Sequence, residues 1–429
     1  MSSLTVTLIL FSLLLLLLFL NVPLVVSIGL PTALIMLGSG MKVATLAQRT
    51  YASVDSFTLM AIPFFMLAGK LMEVGGMSKR IVRLADCLVG WIAGGLAHVI
   101  VVASAFFGAL SGSAAATTAA IGSTLIPEMK KRGYPADFVA GIQAVAGALG
   151  VIIPPSITMI MYGVCSSTSI GKLFMAGIVP GIVLALFLMV TIAYQAKKRK
   201  ISQMNTFTFK ELGAAFLDAI PALLVPTIIL GGIYGGIFTP TEAGAVAATY
   251  GFLAGAFWYK EINLQNIGNI MGGAIVNTVL VMIVVGASGA FSWLLTSAGV
   301  SSLLGKAISA IAGNKYIFLL VANLIFIFIG MFIESVAGIL IVTPILLPIA
   351  TSLGVDPVHF GIIMVVNLAL GLTTPPVGEN QYIAAAIAEI PFEEEVKASI
   401  PFLIAGFAAL AVITYVEPLS LWLPGILGM

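Results

Sequence analysis

The sequence predicts an all-α polytopic membrane protein built from two inverted copies of one helical unit. Of the 429 residues, 60% are hydrophobic and only 8% are charged, too little charge for a soluble domain of this size. Charge-free runs long enough to span a bilayer, about 20 residues, recur along the chain. Consecutive prolines also interrupt two of the apolar segments at matching places: "GALGVIIPPSITM" (147–159) and "LALGLTTPPVGEN" (368–380).

The first apolar segment, "MSSLTVTLILFSLLLLLLFLNVP", is expected to remain as a helix rather than to act as a signal peptide. It has no basic region before the apolar run and no A-x-A-like cleavage site, and a second apolar segment follows at once.

Composition excludes several functional classes. Cys87 and Cys165 have no metal-ligand spacing, a net charge of +2 gives no nucleic-acid footprint, and there is no ATPase motif. We therefore expect neither an enzyme nor a cofactor.

An internal repeat relates the two proline interruptions. Pro154-Pro155 and Pro375-Pro376 differ by 221 positions. Three other pairs share this offset: Gly150 and Gly371, Gly133 and Gly354, and Pro127 and Pro348. Upstream, Pro31-Thr32 resembles Pro240-Thr241 at a shorter offset of 209. The sequence thus predicts a first repeat over 1–200, a polar linker over 201–211, and a second repeat over 212–429.

Each repeat reads as the same series of elements. Three apolar helices are followed by a short amphipathic stretch, then a hairpin with a small or polar tip, a proline-broken helix and a plain helix. The amphipathic stretches are "MSKRIVRLADCLVG" (77–90) and "GVSSLLGKAISAIAG" (299–313). The hairpins are predicted at about 95–129 and 316–350, with tips "LSGSAAA" (110–116) and "FIESVAG" (332–338). The broken helices are predicted at about 136–165 and 358–388.

The distribution of Lys and Arg predicts that the two repeats face opposite sides of the membrane. Most basic residues fall in loops on the side of "KKRK" (197–200), and Lys70 is counted among them, so this side is cytoplasmic by the positive-inside rule. The loop after the first hairpin, "EMKKRG", is basic, whereas its counterpart "ATSLGVD" has no positive charge. The first hairpin should open to the cytoplasm and the second to the periplasm. This arrangement predicts ten membrane-crossing helices, five in each repeat, and places both chain termini in the periplasm.

The broken helices indicate a secondary transporter. Inverted repeats with discontinuous helices near the middle of the membrane are typical of that class, because unwound backbone offers carbonyl oxygens to ions and half-helix N-termini attract anions. Irregular backbone at that depth is tolerated only where protein or a cavity surrounds it. The alternative is that each proline pair only kinks its helix so that the helix packs against its neighbours. Two symmetry-related breaks, each beside a hairpin rich in small or hydroxyl residues, favour ion and substrate sites.

Five motifs resemble the large membrane subunit of tripartite ATP-independent periplasmic (TRAP) transporters. They are "SGSAAATTAAIGS", "GVIIPPSITMIMYGV", "GGIYGGIFTPTEAGAVAATY", "GMFIESVAGILIVTPILLPIA" and "GLTTPPVGENQYIA", in order along most of the chain. The resemblance implies a sodium-coupled importer of organic acids in the bacterial inner membrane. It also implies two partners, a small four-helix membrane subunit and a soluble periplasmic binding protein. The implied fold is similar to elevator transporters of the divalent-anion/sodium symporter type.

The resemblance also implies site residues, and sodium suits carbonyl and hydroxyl oxygens. The first sodium site would use residues of the first tip and break: Ser111, Ser113, Gly150, Ile153, Pro155 and Ser156. The second would use residues of the second tip and break: Gly330, Glu334, Ser335, Gly371, Thr374 and Val377. The substrate would touch hydroxyl residues between the two: Ser113, Thr117, Thr118, Ser156 and Thr374.

Several residues bear on the substrate without identifying it. Thr117 stands where sialic-acid members of the family tend to carry an acidic residue, and the first hairpin resembles more closely that of C4-dicarboxylate members, so the resemblance implies a C4-dicarboxylate. Glu379 follows "PPVG", where an apolar residue is usual, and its role is open. Neither break contains Lys or Arg, so helix N-termini, hydroxyls and sodium would meet the substrate carboxylate. Glu242 and Glu334 are intramembrane carboxylates, functional by default, although Glu242 is equally well explained as a helix cap.

Three other functions compete with a TRAP permease. The first is a stand-alone sodium/carboxylate symporter that needs no binding protein. A channel is disfavoured because inverted hairpins normally build an occluded site. A membrane-embedded enzyme is disfavoured because the sequence lacks a His cluster, an Asp pair, or a nucleophile with a base.

Overall fold

The computed structural model describes residues 2–20, 22–201, 208–300, 303 and 313–428. Within these ranges the regular secondary structure is entirely helical. Residues 202–207 of the predicted linker and most of the predicted amphipathic stretch at 299–313 lie outside the described residues.

The described residues of the first repeat form eleven α-helices, with two in the hairpin and three in the broken helix. The five before the hairpin are α1 (Ser3–Phe19), α2 (Leu24–Gly38), α3 (Val43–Val54), α4 (Ala61–Val74) and α5 (Met77–Val89). The hairpin consists of α6 (Leu96–Ser111) and α7 (Ala114–Lys131). The broken helix consists of α8 (Ala136–Ala146), α9 (Leu149–Ile152) and α10 (Ile157–Ser166), and α11 (Ile170–Lys198) closes the repeat.

The described part of the second repeat follows the same plan. It begins with α12 (Phe209–Tyr234), α13 (Pro240–Leu253) and α14 (Ile267–Ser297). The hairpin is α15 (Lys315–Gly330) and α16 (Ser335–Ser352), and the broken helix is α17 (Pro357–Gly371) and α18 (Glu379–Ala388). The last two helices are α19 (Phe392–Tyr415) and α20 (Pro418–Ile426).

The helix bounds repeat with the offset found in the sequence. Adding 221 to the bounds of α7 gives those of α16. The upstream pairing of Pro31 with Pro240 is wrong, however. Pro31 lies inside α2, whereas Pro240 is the first residue of α13. Proline has no backbone N–H. At the first helical position that N–H would have no partner within the helix, whereas inside a helix its absence removes a hydrogen bond. The two prolines therefore have different structural roles.

Length and apolar character mark several of these helices as membrane spans. Among the described residues, five helices are long and apolar enough to cross a membrane, or up to seven if each of two bent pairs is one span. One bent pair joins α3 to the segment Thr58–Val74 at 62°, and the other joins Ala136–Ile152 to α10 at 44°. Five shorter apolar helices, including α1 and α2, also occur. The count of ten crossings stays a prediction.

The helices of the two repeats pack against each other rather than forming two separate halves. Helix α4 contacts α13 and α14, and α19 contacts α8 and α11. We call α1–α5 with α12–α14 the flanking group, and α6–α11 with α15–α19 the hairpin group. The two groups meet where α4 contacts α6 and where α14 contacts α16.

Ion pairs attach the amphipathic helix α5 to the loop before α14. Arg80 Nη1 donates to Glu261 Oε1 at 2.6 Å, and Lys79 Nζ donates to Glu261 Oε2 at 3.2 Å. The Arg80 guanidinium also lies over the Tyr259 ring, 4.3 Å from its centroid. Burial acts to raise the pKa of Glu261, but the hydrogen bonds from Arg80 and Lys79 outweigh it and hold that pKa below its ordinary value. This contact joins an element of the first repeat to the second.

Glu242 has a structural role at the start of α13. Its Oε2 accepts hydrogen bonds from Thr239 N at 2.8 Å and from Thr239 Oγ1 at 2.9 Å, and Glu242 N donates to Thr239 Oγ1 at 3.3 Å. This reciprocal arrangement is a capping box, which satisfies donors that a helix start leaves free. The interpretation of Glu242 as a helix cap is confirmed.

Candidate functional site

The tip of the first hairpin turns within three residues. Helix α6 ends at Ser111, Gly112 takes the left-handed conformation (φ 62°), and Ser113 caps α7 by accepting a hydrogen bond from Ala116 N at 3.4 Å. Ser111 Oγ lies 3.0 Å from Thr117 Oγ1, one turn into α7. The hydroxyls of Ser111 and Thr117 therefore meet beside the positive end of the α7 dipole.

The first break lies directly against this tip. A Cβ on Gly112 would lie 2.9 Å from Pro155 O, so the tip approaches the break more closely than any side chain would allow. After Pro155, Ser156 caps α10 by accepting from Met159 N at 3.3 Å and is fully buried. The side chain of Ile153 packs on Gly181 of α11. The N-termini of α7 and α10 thus come together at the break.

Glycines allow the backbones of hairpin and broken helix to touch in the first repeat. A Cβ on Gly108 would lie 2.9 Å from Gly150 Cα. A Cβ on Gly150 would in turn meet Ser113 O and the Thr117 side chain, whose Cβ would be 2.9 Å away. Four residues from the two elements, Ser111, Ser113, Thr117 and Gly150, therefore surround one small space.

The second hairpin meets the second break through an equivalent glycine pair. A Cβ on Gly330 would lie 3.0 Å from Gly371 Cα. At the tip, Glu334 caps α16 by accepting from Val336 N at 2.9 Å. Ser335, the next residue, is fully buried, and its Oγ has no hydrogen-bond partner among the described residues. A buried hydroxyl without a partner is unfavourable unless a ligand occupies its lone pairs.

The residues of the second break differ from one another in burial and in backbone conformation. Thr374 is half-buried and its Oγ1 donates to Leu370 O at 2.7 Å, which leaves its lone pairs free to accept. Val377 is 44% exposed. Gly378 takes the left-handed conformation (φ 54°) immediately before α18. Its backbone turns the chain into α18 at Glu379.

A cavity of about 420 Å³ lies between the two tips and reaches both breaks. Of the predicted site residues, Ser111, Ser113 and Glu334 line it. Glu379 also lines the cavity and is exposed to it. Three predicted substrate contacts, Thr117, Thr118 and Ser156, are instead fully buried behind this surface. Of the predicted site residues, those that face the cavity therefore all belong to the tips.

The flanking group supplies cavity residues that the sequence did not suggest. Lys70 and Glu73 of α4 and Asn277 of α14 line the same space. The sequence analysis counted Lys70 as a loop residue, which is wrong, because it lies within α4. Its spacing of three residues from Glu73 inside an apolar helix was the available signal, since such pairs lie on one helix face. A basic side chain is therefore present at the cavity although both breaks lack one.

The arrangement suits small cations beside an organic anion. The tip and break oxygens are carbonyls, hydroxyls and one carboxylate, a donor set that matches a hard monovalent cation. The N-termini of α7, α10 and α16 add partial positive charge. Among the described residues no group of three or more His, Cys, Asp or Glu is placed to hold a metal ion.

Comparison with known proteins gives one family across nearly the whole chain. The model of the tripartite ATP-independent periplasmic transporter DctM component matches residues 8–419. The C4-dicarboxylate TRAP transporter large permease protein DctM of Pseudomonas aeruginosa is 43% identical over 404 residues, 94% of this chain and 95% of that protein. The sialic acid TRAP transporter large permease protein SiaM of Vibrio cholerae is 37% identical over 378 residues, 88% of each chain.

A solved structure has the same fold at low sequence identity. The Alcanivorax borkumensis YdaH transporter, described as having an unusual topology, matches with a TM-score of 0.63 and 15% identity. The match covers 89% of this chain and 88% of that one. The all-helical membrane fold with interrupted helices is therefore shared with a transporter of distant sequence.

Proposed function

The chain belongs to the family of the DctM component of tripartite ATP-independent periplasmic transporters, and from this premise we propose that it is a sodium-coupled permease that imports an organic acid. One observation carries the proposal. In both repeats the first helix of the hairpin touches the broken helix through paired glycines, Gly108 with Gly150 and Gly330 with Gly371, and residues of both tips line a single cavity. Two equivalent cation sites would then flank one substrate.

Two sodium ions are the coupling ions in this proposal. The first would be held by the predicted set around Ser111, Ser113 and Gly150, where small residues leave space for an ion. The second would be held around Ser335, Gly371 and Thr374. The unpartnered Ser335 hydroxyl supports the second site most directly, because a bound cation would accept its lone pair.

The substrate class follows from the relatives and from the cavity. The relatives named above carry a C4-dicarboxylate and a sialic acid, both carboxylates. We favour a C4-dicarboxylate, because the sequence of the first hairpin resembles that of C4-dicarboxylate members of the family. A charged substrate in a low-dielectric site needs compensating charge, which the two sodium ions would supply together with the helix N-termini.

Two partners complete the proposed transporter. A periplasmic binding protein would deliver the substrate, and a small four-helix membrane subunit would bind the flanking group. Helix α1 supports the second contact, because it exposes large apolar residues along most of its length: Leu4 (56%), Leu8 (59%), Leu16 (54%) and Phe19 (72%). The complex would lie in the bacterial inner membrane. The flanking group would be the scaffold, and the hairpin group would move as an elevator.

Uptake by reconstituted proteoliposomes tests the proposal. The permease, the small subunit and the binding protein are combined, and uptake of radiolabelled succinate, N-acetylneuraminate and 2,3-diketo-L-gulonate is measured under an inward sodium gradient. A proton gradient without sodium is the control. Sodium-dependent uptake that needs all three components is expected. Uptake in sodium-free buffer would refute the coupling, and full uptake by this chain alone would favour the stand-alone symporter.

A further inference from the structure

An ion pair on the flanking group faces the substrate cavity. Lys70 Nζ donates to both carboxylate oxygens of Glu73, at 2.9 and 3.0 Å. Each side chain is 30% exposed, and both residues line the 420 Å³ cavity. Among the described residues that line it, Lys70 is the one with a positive charge.

Close packing holds this pair next to the first tip. Gly69 lies against the tip, where a Cβ would be in ordinary contact at 3.4 Å from both Ser111 Cα and Ser111 O. On the other side, α14 leaves room for the lysine, because a Cβ on Gly273 would lie 3.4 Å from Lys70 Cε. The ammonium group therefore occupies the junction of the flanking group and the hairpin group.

Stability does not explain why a charged pair occupies this position. Partly exposed ion pairs three residues apart contribute little to folding, and an ionisable pair within a membrane helix is costly unless it has a function. The other carboxylates at the cavity, Glu334 and Glu379, belong to the hairpin group. An arriving organic anion would meet these negative charges, and among the described lining residues Lys70 supplies the fixed positive charge.

We propose that Lys70 binds the carboxylate of the transported organic acid and that Glu73 is its resting partner when the cavity holds no anion. This inference rests on the proposed function, since it takes the cavity to be the site of an organic anion. It adds a contact from the flanking group to a substrate site otherwise built by the hairpin group.

The position of Lys70 makes the contact specific to one conformation. Sodium ligands and substrate would travel with the hairpin group, whereas α4 belongs to the flanking group. Lys70 therefore meets the substrate only when the first tip lies beside Gly69, as in this structure. When the hairpin group moves away, Glu73 again neutralises the lysine.

Ligand-dependent stabilisation of the purified membrane complex tests the proposal. The measurement is the concentration of transported acid that half-maximally raises the unfolding temperature in saturating sodium. Lys70→Gln should raise that concentration about ten- to a hundredfold, the loss typical of a charged hydrogen bond. Glu73→Gln should lower it, because the competing carboxylate is gone, and the double variant should behave like Lys70→Gln. Lys198→Gln, at an exposed lysine of α11, is the matched control and should change nothing.

The outcomes separate this inference from the proposed function. Stabilisation by sodium alone reports whether each variant folds, because Lys70 and Glu73 lie outside both proposed sodium sites. If Lys70→Gln binds the acid like the wild type, or if the double variant restores wild-type affinity, the pair is structural and the inference is overturned. If the wild type carries none of the three acids with sodium, the proposed function fails and the inference fails with it.

Discussion

Gly371→Ala is the substitution that most directly tests the contact between hairpin and break in the second repeat. Gly371 ends α17, and its α-carbon faces the backbone of Gly330 at the end of α15. A methyl group on Gly371 would lie 2.5 Å from Gly330 Cα and 2.6 Å from Gly330 C. Both neighbours are main-chain atoms, so no side-chain rotation can relieve the contact.

The size of the effect follows from these distances. Ordinary contacts of a Cβ lie at 3.4–4 Å, so the hairpin must move by roughly 1 Å or more. Overpacking of this kind costs about 1–3 kcal/mol, which corresponds to a loss of roughly 5- to 150-fold in the population of the closed arrangement. Gly330→Ala should be milder, because its Cβ would lie 3.0 Å from Gly371 Cα. We therefore expect sodium affinity to fall in both variants, and further in Gly371→Ala.

The assay is a sodium titration of the unfolding temperature, with uptake into proteoliposomes as a second readout. The matched control is Gly272→Ala in α14, where an added methyl meets nothing within 4 Å and alanine is the better helix former. The control should keep its sodium dependence and gain slightly in stability. A wild-type sodium curve for Gly371→Ala would show that closure of hairpin on break is not linked to sodium.

Three further predictions concern other parts of the molecule. Ser335→Ala should weaken sodium affinity about tenfold in the same titration, whereas Ser352→Ala, at the far end of α16, should not; equal curves for both would exclude the Ser335 hydroxyl as a ligand. Glu261→Gln should lower the unfolding temperature near neutral pH by the equivalent of about 1 kcal/mol. That difference should vanish as pH falls through the lowered pKa of Glu261, because the carboxylate stabilises the fold only while ionised; a constant difference would refute the ion pair. Cysteines at Lys131 and Thr351, with the two native cysteines replaced, should be labelled from opposite sides of the membrane, and labelling from one side would disprove inverted repeats.

The fold could be predicted from the sequence where local chemistry dictates the chain path. Paired prolines cannot continue a helix, so "PPS" and "TPPVG" predicted the two interruptions. Small residues at "LSGSAAA" predicted a tight tip, and the structure has Gly112 in a conformation that favours glycine. The same reasoning failed for Pro31 and Pro240, because proline is compatible with both a helix start and a kinked helix interior. Local signals alone do not distinguish these two uses.

The cavity could not be predicted in full, because its walls come from segments far apart in sequence. Gly69 packs on Ser111, and Gly273 lies beside Lys70, contacts that depend on how α4, α6 and α14 cross. The positive-inside rule counts a lysine near a helix end as a loop residue, although a long side chain within the last turns can face the interior. Likewise, Thr117 and Thr118 carry suitable hydroxyls, but only tertiary packing shows that they are buried behind the tip.

The two proposed cation sites share a backbone frame but differ in charge, and this difference bears on how an anion is accommodated. Ser113 caps α7 and Glu334 caps α16, and the two positions are related by the repeat offset of 221. The same N-terminal position thus offers a neutral hydroxyl in one repeat and a carboxylate in the other. A cation beside Glu334 is largely neutralised by the protein, whereas one beside Ser113 keeps most of its charge for the substrate. With sodium bound, the first proposed site and Lys70, which meet where Gly69 packs on Ser111, would therefore form the positive side of the cavity. An organic acid should place one carboxylate there, and the second carboxylate of a C4-dicarboxylate would lie on the side of Glu334 and Glu379, where the second cation would offset the repulsion.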